Sequence, residues 1–227
     1  MLGMIKKDIF MIRNNLKTLI FAIFIYLFYT FMFEADMSFI LPFMMLMICI
    51  STFGYDEYNN WYSFASALPQ GKINTVKSKY ITTITLIIFA TIIGIICTFI
   101  ISNFKTTINF SDAISSISGC LFAIFILVSM LFPFLFKYGH EKGRIAMFIL
   151  GMGAFAVIIL LKKVINISIP TSIITFLDSY GLIIFLILSI IFIGISYLIS
   201  KKIYLKKEFL LFVILRYYDV LNVFVGI

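Results

Sequence analysis

YITTITLIIFATIIGIICTFII, from Tyr80 to Ile101, contains no charged side chain. A bilayer core of about 30 Å needs about 20 residues of α-helix, so this stretch has the length and composition of a transmembrane helix. Five other apolar stretches come close to that length, at 18–33, 37–53, 113–136, 145–161 and 181–200. The sequence therefore predicts six membrane spans.

The composition of the whole chain agrees with a membrane protein. Of its 227 residues, 63% are hydrophobic and 12% are charged, and the mean hydropathy is +1.13. A soluble fold of this size could not cover so much apolar surface, which excludes an ordinary cytosolic enzyme or a disulfide-stapled domain. Cys49, Cys97 and Cys120 lie in apolar runs without metal-ligand spacing, and we interpret them as packing residues. We predict an all-α integral membrane protein with no metal site.

The positions of the charges predict the orientation of the chain. No Lys, Arg, Asp or Glu lies at the middle of a predicted span, which argues against an ion-coupled carrier. Any uphill transport would then need energy from outside the membrane. Fifteen of the 18 Lys and Arg lie in the N-terminal segment, the loops after spans two and four, and the tail. We therefore expect a multi-pass protein of the cell membrane with both termini in the cytoplasm.

The first 17 residues have the pattern of an amphipathic helix. Ile5, Ile9, Ile12 and Leu16 recur at helical spacing between basic residues. Such a helix lies along the membrane interface, held by its apolar face and by anionic lipid. It is interpreted either as an elbow helix leading into span one or as a topology signal alone, and the two interpretations are compatible.

The loop at 54–79 has the pattern of a short helix. Asp56 and Glu57 suit the positive end of a helix, Leu68 and Pro69 end it, and Gly71 provides a turn. An aromatic anchor at the headgroup level would account for the aromatic residues alone. A helix that docks a cytoplasmic partner also accounts for the acidic start and the Pro-Gly stop, and we favour it. Its predicted face consists of Tyr58, Trp61, Tyr62 and Ala65.

Two groups of loop residues resemble a known family. YDE at 55–57, W at 61, SALP at 66–69 and KSKY at 77–80 resemble the loop between spans two and three of small ABC-2 type permeases. FP at 132–133, FKYG at 136–139 and EKGR at 141–144 resemble their loop after span four. The resemblance covers about residues 1–208 and is greatest to the six-span group that includes permeases of the staphylococcal phenol-soluble-modulin exporter. The extension at 209–227 departs from that group and is assigned no function.

The resemblance implies a permease subunit that forms a dimer, with a second copy or a paralogue, and docks two cytoplasmic ABC ATPase subunits. ATP and Mg²⁺ would bind to the ATPase, and this chain would hold no cofactor. About Asp56 to Leu68 would form the coupling helix, followed by Pro69. Residues 164–178 would form short helices before the last span. A second contact with the ATPase would come from Lys137, Gly139, Glu141, Lys142 and Arg144.

The chain carries no motif for chemistry of its own. It has no phosphate-binding Gly-x-x-x-x-Gly-Lys-Ser/Thr loop, and its single histidine, His140, lies in a basic loop. We expect no catalytic residues and no nucleic-acid binding. The leading hypothesis is the permease of an exporter that moves amphipathic peptides or other hydrophobic substrates outward. The alternatives are a non-transport immunity or sensor protein that binds membrane-active peptides and, more weakly, an intramembrane enzyme.

Overall fold

The described part of the chain is helical. The computed structural model describes residues 1–13, 16–33, 40–104, 110–146, 149, 152–153 and 171–207, and these contain helices and turns but no strand. A short helical segment at 140–146 follows α6. The helices are α1 (Leu2–Arg13), α2 (Leu16–Phe33), α3 (Ile40–Tyr58), α4 (Trp61–Ala67), α5 (Gly71–Phe104), α6 (Phe110–Tyr138) and α7 (Thr171–Leu205).

Four helices are long and apolar enough to cross a membrane: α3, α5, α6 and α7. They coincide with predicted spans two, three, four and six, and predicted span one is helical as α2. Most of predicted span five and the extension at 209–227 lie outside the described residues, so the count of six stays a prediction. Residues 171–178 belong to the continuous helix α7 rather than to a separate short helix, whereas 164–170 lie outside the described residues.

The core of the bundle lies between α3, α5, α6 and α7. The Phe53 ring of α3 meets Phe132 and Phe136 of α6 edge-on, each with ring centroids 5.2 Å apart. Tyr204 of α7 packs on Phe136 at 5.3 Å. Edge-to-face packing of this kind stabilises a core beyond the area that it buries. It fixes the ends of three long helices against each other.

One end of the bundle carries the predicted coupling loops. Here the first turns of α5 meet α1, α4 and the last turns of α3, α6 and α7, and we call this region the charged end. Lys72 of α5 donates a hydrogen bond to the backbone carbonyl of Lys207 at 2.8 Å. The Lys207 ammonium group donates in turn to the carbonyl of Phe136 at 3.2 Å. These bonds tie the segment after α7 to α5 and α6.

Candidate functional site

Four ionic side chains form a buried cluster at the charged end. Lys79 of α5 pairs with Asp56 of α3 at 2.7 Å and with Asp8 of α1 at 3.0 Å. Lys7 of α1 pairs with the same two carboxylates, at 3.2 Å from Asp8. Lys79 also donates to the hydroxyl and carbonyl oxygens of Thr52, at 2.8 and 3.3 Å. The cluster therefore links three helices.

The cluster is balanced in formal charge and largely withdrawn from water. Asp8, Asp56 and Lys79 are each at most 1% exposed, whereas Lys7 forms the outer rim. Burial of ions costs several kcal/mol each, and close pairing with further hydrogen bonds is needed to offset that cost. Removing one partner would leave the opposite charge buried without compensation. This makes the relative positions of α1, α3 and α5 strongly interdependent.

The short helix α4 is attached to this cluster. The Lys7 ammonium lies over the Trp61 ring, 4.4 Å from its centroid, in a cation–π contact. Trp61 also packs at 5.3 Å against Phe64 of the same helix. The indole is half-buried and faces Lys7. A movement of α4 would thus act directly on α1 through the contact between Trp61 and Lys7.

The buried face of α4, at Ala65, packs directly against the start of α5. Ala65 is fully buried, and a Cβ atom added at Gly71 would lie 1.7 Å from the Ala65 carbonyl oxygen. Only glycine permits this approach between α4 and the first residue of α5. Leu68 leaves the helix in an extended conformation, which confirms the predicted stop before Pro69. The turn itself uses Gln70, whose φ of 57° is left-handed.

Tyr62 holds the same face of α4 against α7. Its ring meets the Tyr204 ring edge-on at 5.8 Å. Burial raises the pKa of Tyr62 well above its usual value of 10.0, and the carboxylate of Asp56 adds to the effect. The neutral phenol of Tyr62 is therefore part of the packed form of α4.

Burial also lowers the pKa of the Lys207 ammonium group, whereas the nearby Glu57 carboxylate acts to raise it.

The opposite side of this region carries exposed apolar side chains. Phe64 is 58% exposed and Leu68 40%, although both lie outside the four candidate spans. Tyr58, at the end of α3, is 86% exposed. We call Phe64 and Leu68, which lie four residues apart at the middle of α4 and at its C-terminal end, the α4 patch. Exposed apolar residues on a short, firmly seated helix are typical of a surface that binds a partner.

Glu57 connects the charged end to the second predicted coupling loop. Its carboxylate accepts a 2.8 Å hydrogen bond from the backbone N–H of His140, which begins the segment at 140–146. Gly139, just before it, has φ 87°, and a Cβ there would lie 2.2 Å from a Glu57 carboxylate oxygen. Glycine is required on both grounds. A carboxylate in this position satisfies the free N–H at the start of a helix.

The remaining residues of the second predicted loop lie at its surface. Lys137 lies in the last turn of α6 with an exposed side chain, and Glu141, Lys142 and Arg144 are exposed on the segment at 140–146. The Lys137 ammonium lies 4.9 Å from the centroid of the Tyr138 ring. The loop thus presents mainly positive charge, and Glu57 joins it to the end of α3.

The structure corrects the predicted start of the short helix. Asp56 and Glu57 do not open it, because both lie in the last turns of α3, and α4 begins only at Trp61. Tyr58 therefore does not share a helix face with Trp61, Tyr62 and Ala65. The error arose because acidic residues near an aromatic run suit a helix start, whereas here Asp56 is held by two lysines. Glu57 does lie at a helix start, but at that of 140–146.

Three residues of the ionic cluster were not identified from the sequence as site residues. Lys7 contributed only to the predicted topology, Lys79 contributed to the topology and to the family resemblance at 77–80, and Asp8 had no predicted role. Because α5 begins at Gly71 instead of Tyr80, Lys79 lies inside the helix. A signal was present: Asp8 is the only acidic residue before Glu34, and it aligns with Met4 and Ile12 on the buried face of α1. Ile9, by contrast, is exposed.

Among the residues that the structure describes, no three His, Cys, Asp or Glu side chains are grouped so that they could hold a metal ion. The site consists instead of ion pairs, packed aromatic rings and an exposed apolar patch beside a helical bundle. Together with four helices long and apolar enough to cross a membrane, it describes a helical membrane protein without a recognisable metal centre in the part of the chain that the structure describes.

The sequence model of the family described as "ABC-2 family transporter protein" matches residues 3–205, and the chain belongs to this family. No curated protein and no solved structure matches it. The chain is thus a multi-pass membrane permease, and membership implies an ABC ATPase as partner.

Proposed function

We propose that this chain is the permease subunit of an ABC exporter and that the charged end faces the cytoplasm, where it docks a separate ATPase. The observation that carries the proposal is the α4 patch of Phe64 and Leu68. A partner that pushes on this patch pushes on a helix seated without clearance, at Ala65 and Gly71, against α5. When the ATPase dimer closes on ATP, its movement would thus displace α4 and α5 together, because there is no space for α4 to move alone.

The segment at 140–146 adds a second contact to this docking surface. Glu57 connects it to α3, and its exposed Lys142 and Arg144 suit acidic residues on the ATPase. In this proposal the residues of α4 and its C-terminal end have two roles. Trp61 and Tyr62 hold the helix in place, whereas Phe64 and Leu68 contact the ATPase.

The cargo in this proposal is an amphipathic, membrane-active peptide. A cavity of about 200 Å³ lies between α5, α6 and α7, and no ionisable side chain lines it. Its wall includes the stacked rings of Phe122 and Phe185, 4.9 Å apart. An apolar wall of this kind suits the hydrophobic face of a peptide. Only 17% of the apolar stretch of α7 is buried within the bundle, and its remaining apolar surface supports contact with lipid or with a second permease, either another copy or a paralogue.

Purification from native membranes, followed by mass spectrometry, would identify the ATPase. The two proteins would then be co-expressed and reconstituted to measure binding and ATPase stimulation by the permease. We expect Leu68→Asp and Phe64→Asp each to reduce binding at least tenfold. Leu2→Asp is the matched control, because Leu2 is an exposed apolar residue of α1 outside the patch. Equal binding by all three variants would remove the docking assignment.

The alternative is an immunity or sensor protein that binds membrane-active peptides without transport. It shares the uncharged cavity but does not need the α4 patch. It predicts that no ABC ATPase co-purifies with the chain and that the chain alone protects cells from added peptide. The proposed permease predicts protection that is lost when the ATPase is catalytically inactive.

A further inference from the structure

Pro133 interrupts the backbone hydrogen bonds of α6. The helix runs without a break from Phe110 to Tyr138, but a proline has no N–H to donate. The carbonyl oxygen of Ser129, four residues earlier, therefore lacks its helical partner. Ser129 is buried, and inside a bilayer a free carbonyl has no water to bind. A donor must come from elsewhere.

That donor comes from a neighbouring helix. The Ser196 hydroxyl of α7 donates to the Ser129 carbonyl oxygen at 2.6 Å. The Tyr80 hydroxyl of α5 lies 2.6 Å from the Ser196 oxygen and 2.8 Å from that of Ser200. Tyr80, Ser196 and Ser200 are each at most 3% exposed. A chain of hydroxyl groups from α5 and α7 thus ends at one carbonyl group of α6.

The number of hydrogens fixes the direction of each bond in this chain. Ser196 has one hydroxyl hydrogen, which it donates to Ser129, so it must accept from Tyr80. Tyr80 then uses its own hydrogen, so it must accept from Ser200. Every bond points towards the carbonyl at the proline site, and such chains strengthen each member by mutual polarisation.

Tyr80 follows Lys79 directly in α5. Lys79 enters the ionic cluster with α1 and α3, whereas Tyr80 contacts α6 and α7 and packs its ring edge-on against Phe132 at 4.8 Å. Successive residues of one helix turn thus bind the cluster on one side and the proline site on the other. A shift of α5 at this level would act on both.

We propose that Tyr80 and Ser196 form a hydroxyl clamp that replaces the backbone hydrogen bond lost at Pro133 and locks α6 to α5 and α7 there. When the clamp opens, the Ser129 carbonyl loses its donor and α6 can bend at Pro133. The clamp is thus a conformational device of the bundle, closed in the conformation described here. It does not rest on the proposed function, because its formation is independent of any ATPase or cargo.

The test is a double-mutant cycle on the purified chain in detergent. Pro133→Ala restores an N–H for the Ser129 carbonyl, so the clamp becomes redundant in that background. We expect Ser196→Ala to lower Tm by about 3–8 °C with Pro133 present and by less than half as much in the Pro133→Ala background. Ser189→Ala is the matched control, because Ser189 is buried in α7 but donates only within its own helix, to Leu186. Additive effects of Ser196→Ala and Pro133→Ala would overturn the proposal.

Two further measurements keep the test decisive if Pro133→Ala does not fold. Tyr80→Phe and Ser196→Ala, alone and combined, should be strongly non-additive, because each opens the same chain of bonds. Hydrogen exchange at the backbone amides of 130–136 should accelerate at least fivefold in Tyr80→Phe but not in Ser189→Ala. Unchanged exchange in Tyr80→Phe would show that the clamp does not restrain α6, and the proposal would fail.

Discussion

The carboxylates of Asp56 and Glu57, which are adjacent in the chain, bind two different parts of the charged end. Asp56 is buried between Lys7 and Lys79, whereas Glu57 accepts a hydrogen bond from the His140 N–H. The last turns of α3 therefore bind α1 and α5 through Asp56 and the segment at 140–146 through Glu57. A displacement of α1, of α5 or of the segment at 140–146 would therefore act on the same end of α3.

Lys79→Met should be among the most destabilising single changes in the described part of the chain. It leaves Asp8 and Asp56 with one ammonium group between them, at a cost of about 3–5 kcal/mol in the free energy of unfolding. The double variant Lys79→Met, Asp8→Asn restores the balance of one lysine and one carboxylate, so it should recover part of that loss. Thermal unfolding in detergent measures both. A double variant less stable than Lys79→Met alone would contradict the role of charge balance.

Gly139→Ala should detach the segment at 140–146. The new Cβ meets the Glu57 carboxylate and the left-handed backbone disfavours it, together costing about 1–3 kcal/mol. Limited proteolysis should cut the variant near 140 several times faster than the wild type. Gly119→Ala provides the control, since a Cβ at Gly119 meets no atom within 4 Å. Equal cleavage of both variants would show that Gly139 does not secure the segment.

Gly71→Ala should displace α4 while leaving the long helices in place. The added methyl group overlaps the Ala65 carbonyl, so α4 or the start of α5 must shift. Trp61 is the only tryptophan, and its emission should move to longer wavelength as it leaves Lys7. Gly3→Ala, where a Cβ meets nothing within 4 Å, should leave the emission unchanged. An unshifted spectrum in Gly71→Ala would mean that the tight contact is dispensable.

Alkaline pH should release α4 through Tyr62. Its pKa is raised in the folded protein, so its contribution to stability is complete below the unfolded value of about 10 and is lost as the pH rises through the folded value. We expect the emission of Trp61 to report this loss above about pH 10. Tyr62→Phe cannot ionise and should keep its emission to higher pH. Identical titrations would remove Tyr62 from the attachment of α4.

The membrane class and four spans were predictable from the sequence because length and lack of charge suffice for a transmembrane helix. The stop at Leu68 was predictable because proline restricts the residue before it. The end of α3 was not. Asp56 can remain helical and buried only because Lys7 and Lys79, 49 and 23 positions away, supply its counter-charges. The spacing of neighbouring residues cannot predict a pairing between residues so far apart in the sequence.

The missing hydrogen bond at Pro133 follows from the sequence alone, but its replacement does not. Ser196 lies 67 residues from Ser129, and many serines of the predicted spans could have supplied the hydroxyl. The fold selects one by placing α7 against α6. The same limit applies to Trp61, whose partner Lys7 belongs to a helix that pattern analysis places at the membrane interface.

The balance of two lysines and two aspartates at the charged end also has an electrical consequence. If α1, α3 and α5 shift together, this group travels as a dipolar unit with no net charge, and a membrane potential performs almost no work on it. Any voltage dependence of that displacement would therefore come from the other charges of these helices, such as Lys6, Arg13, Lys72 and Lys77, and not from the buried group.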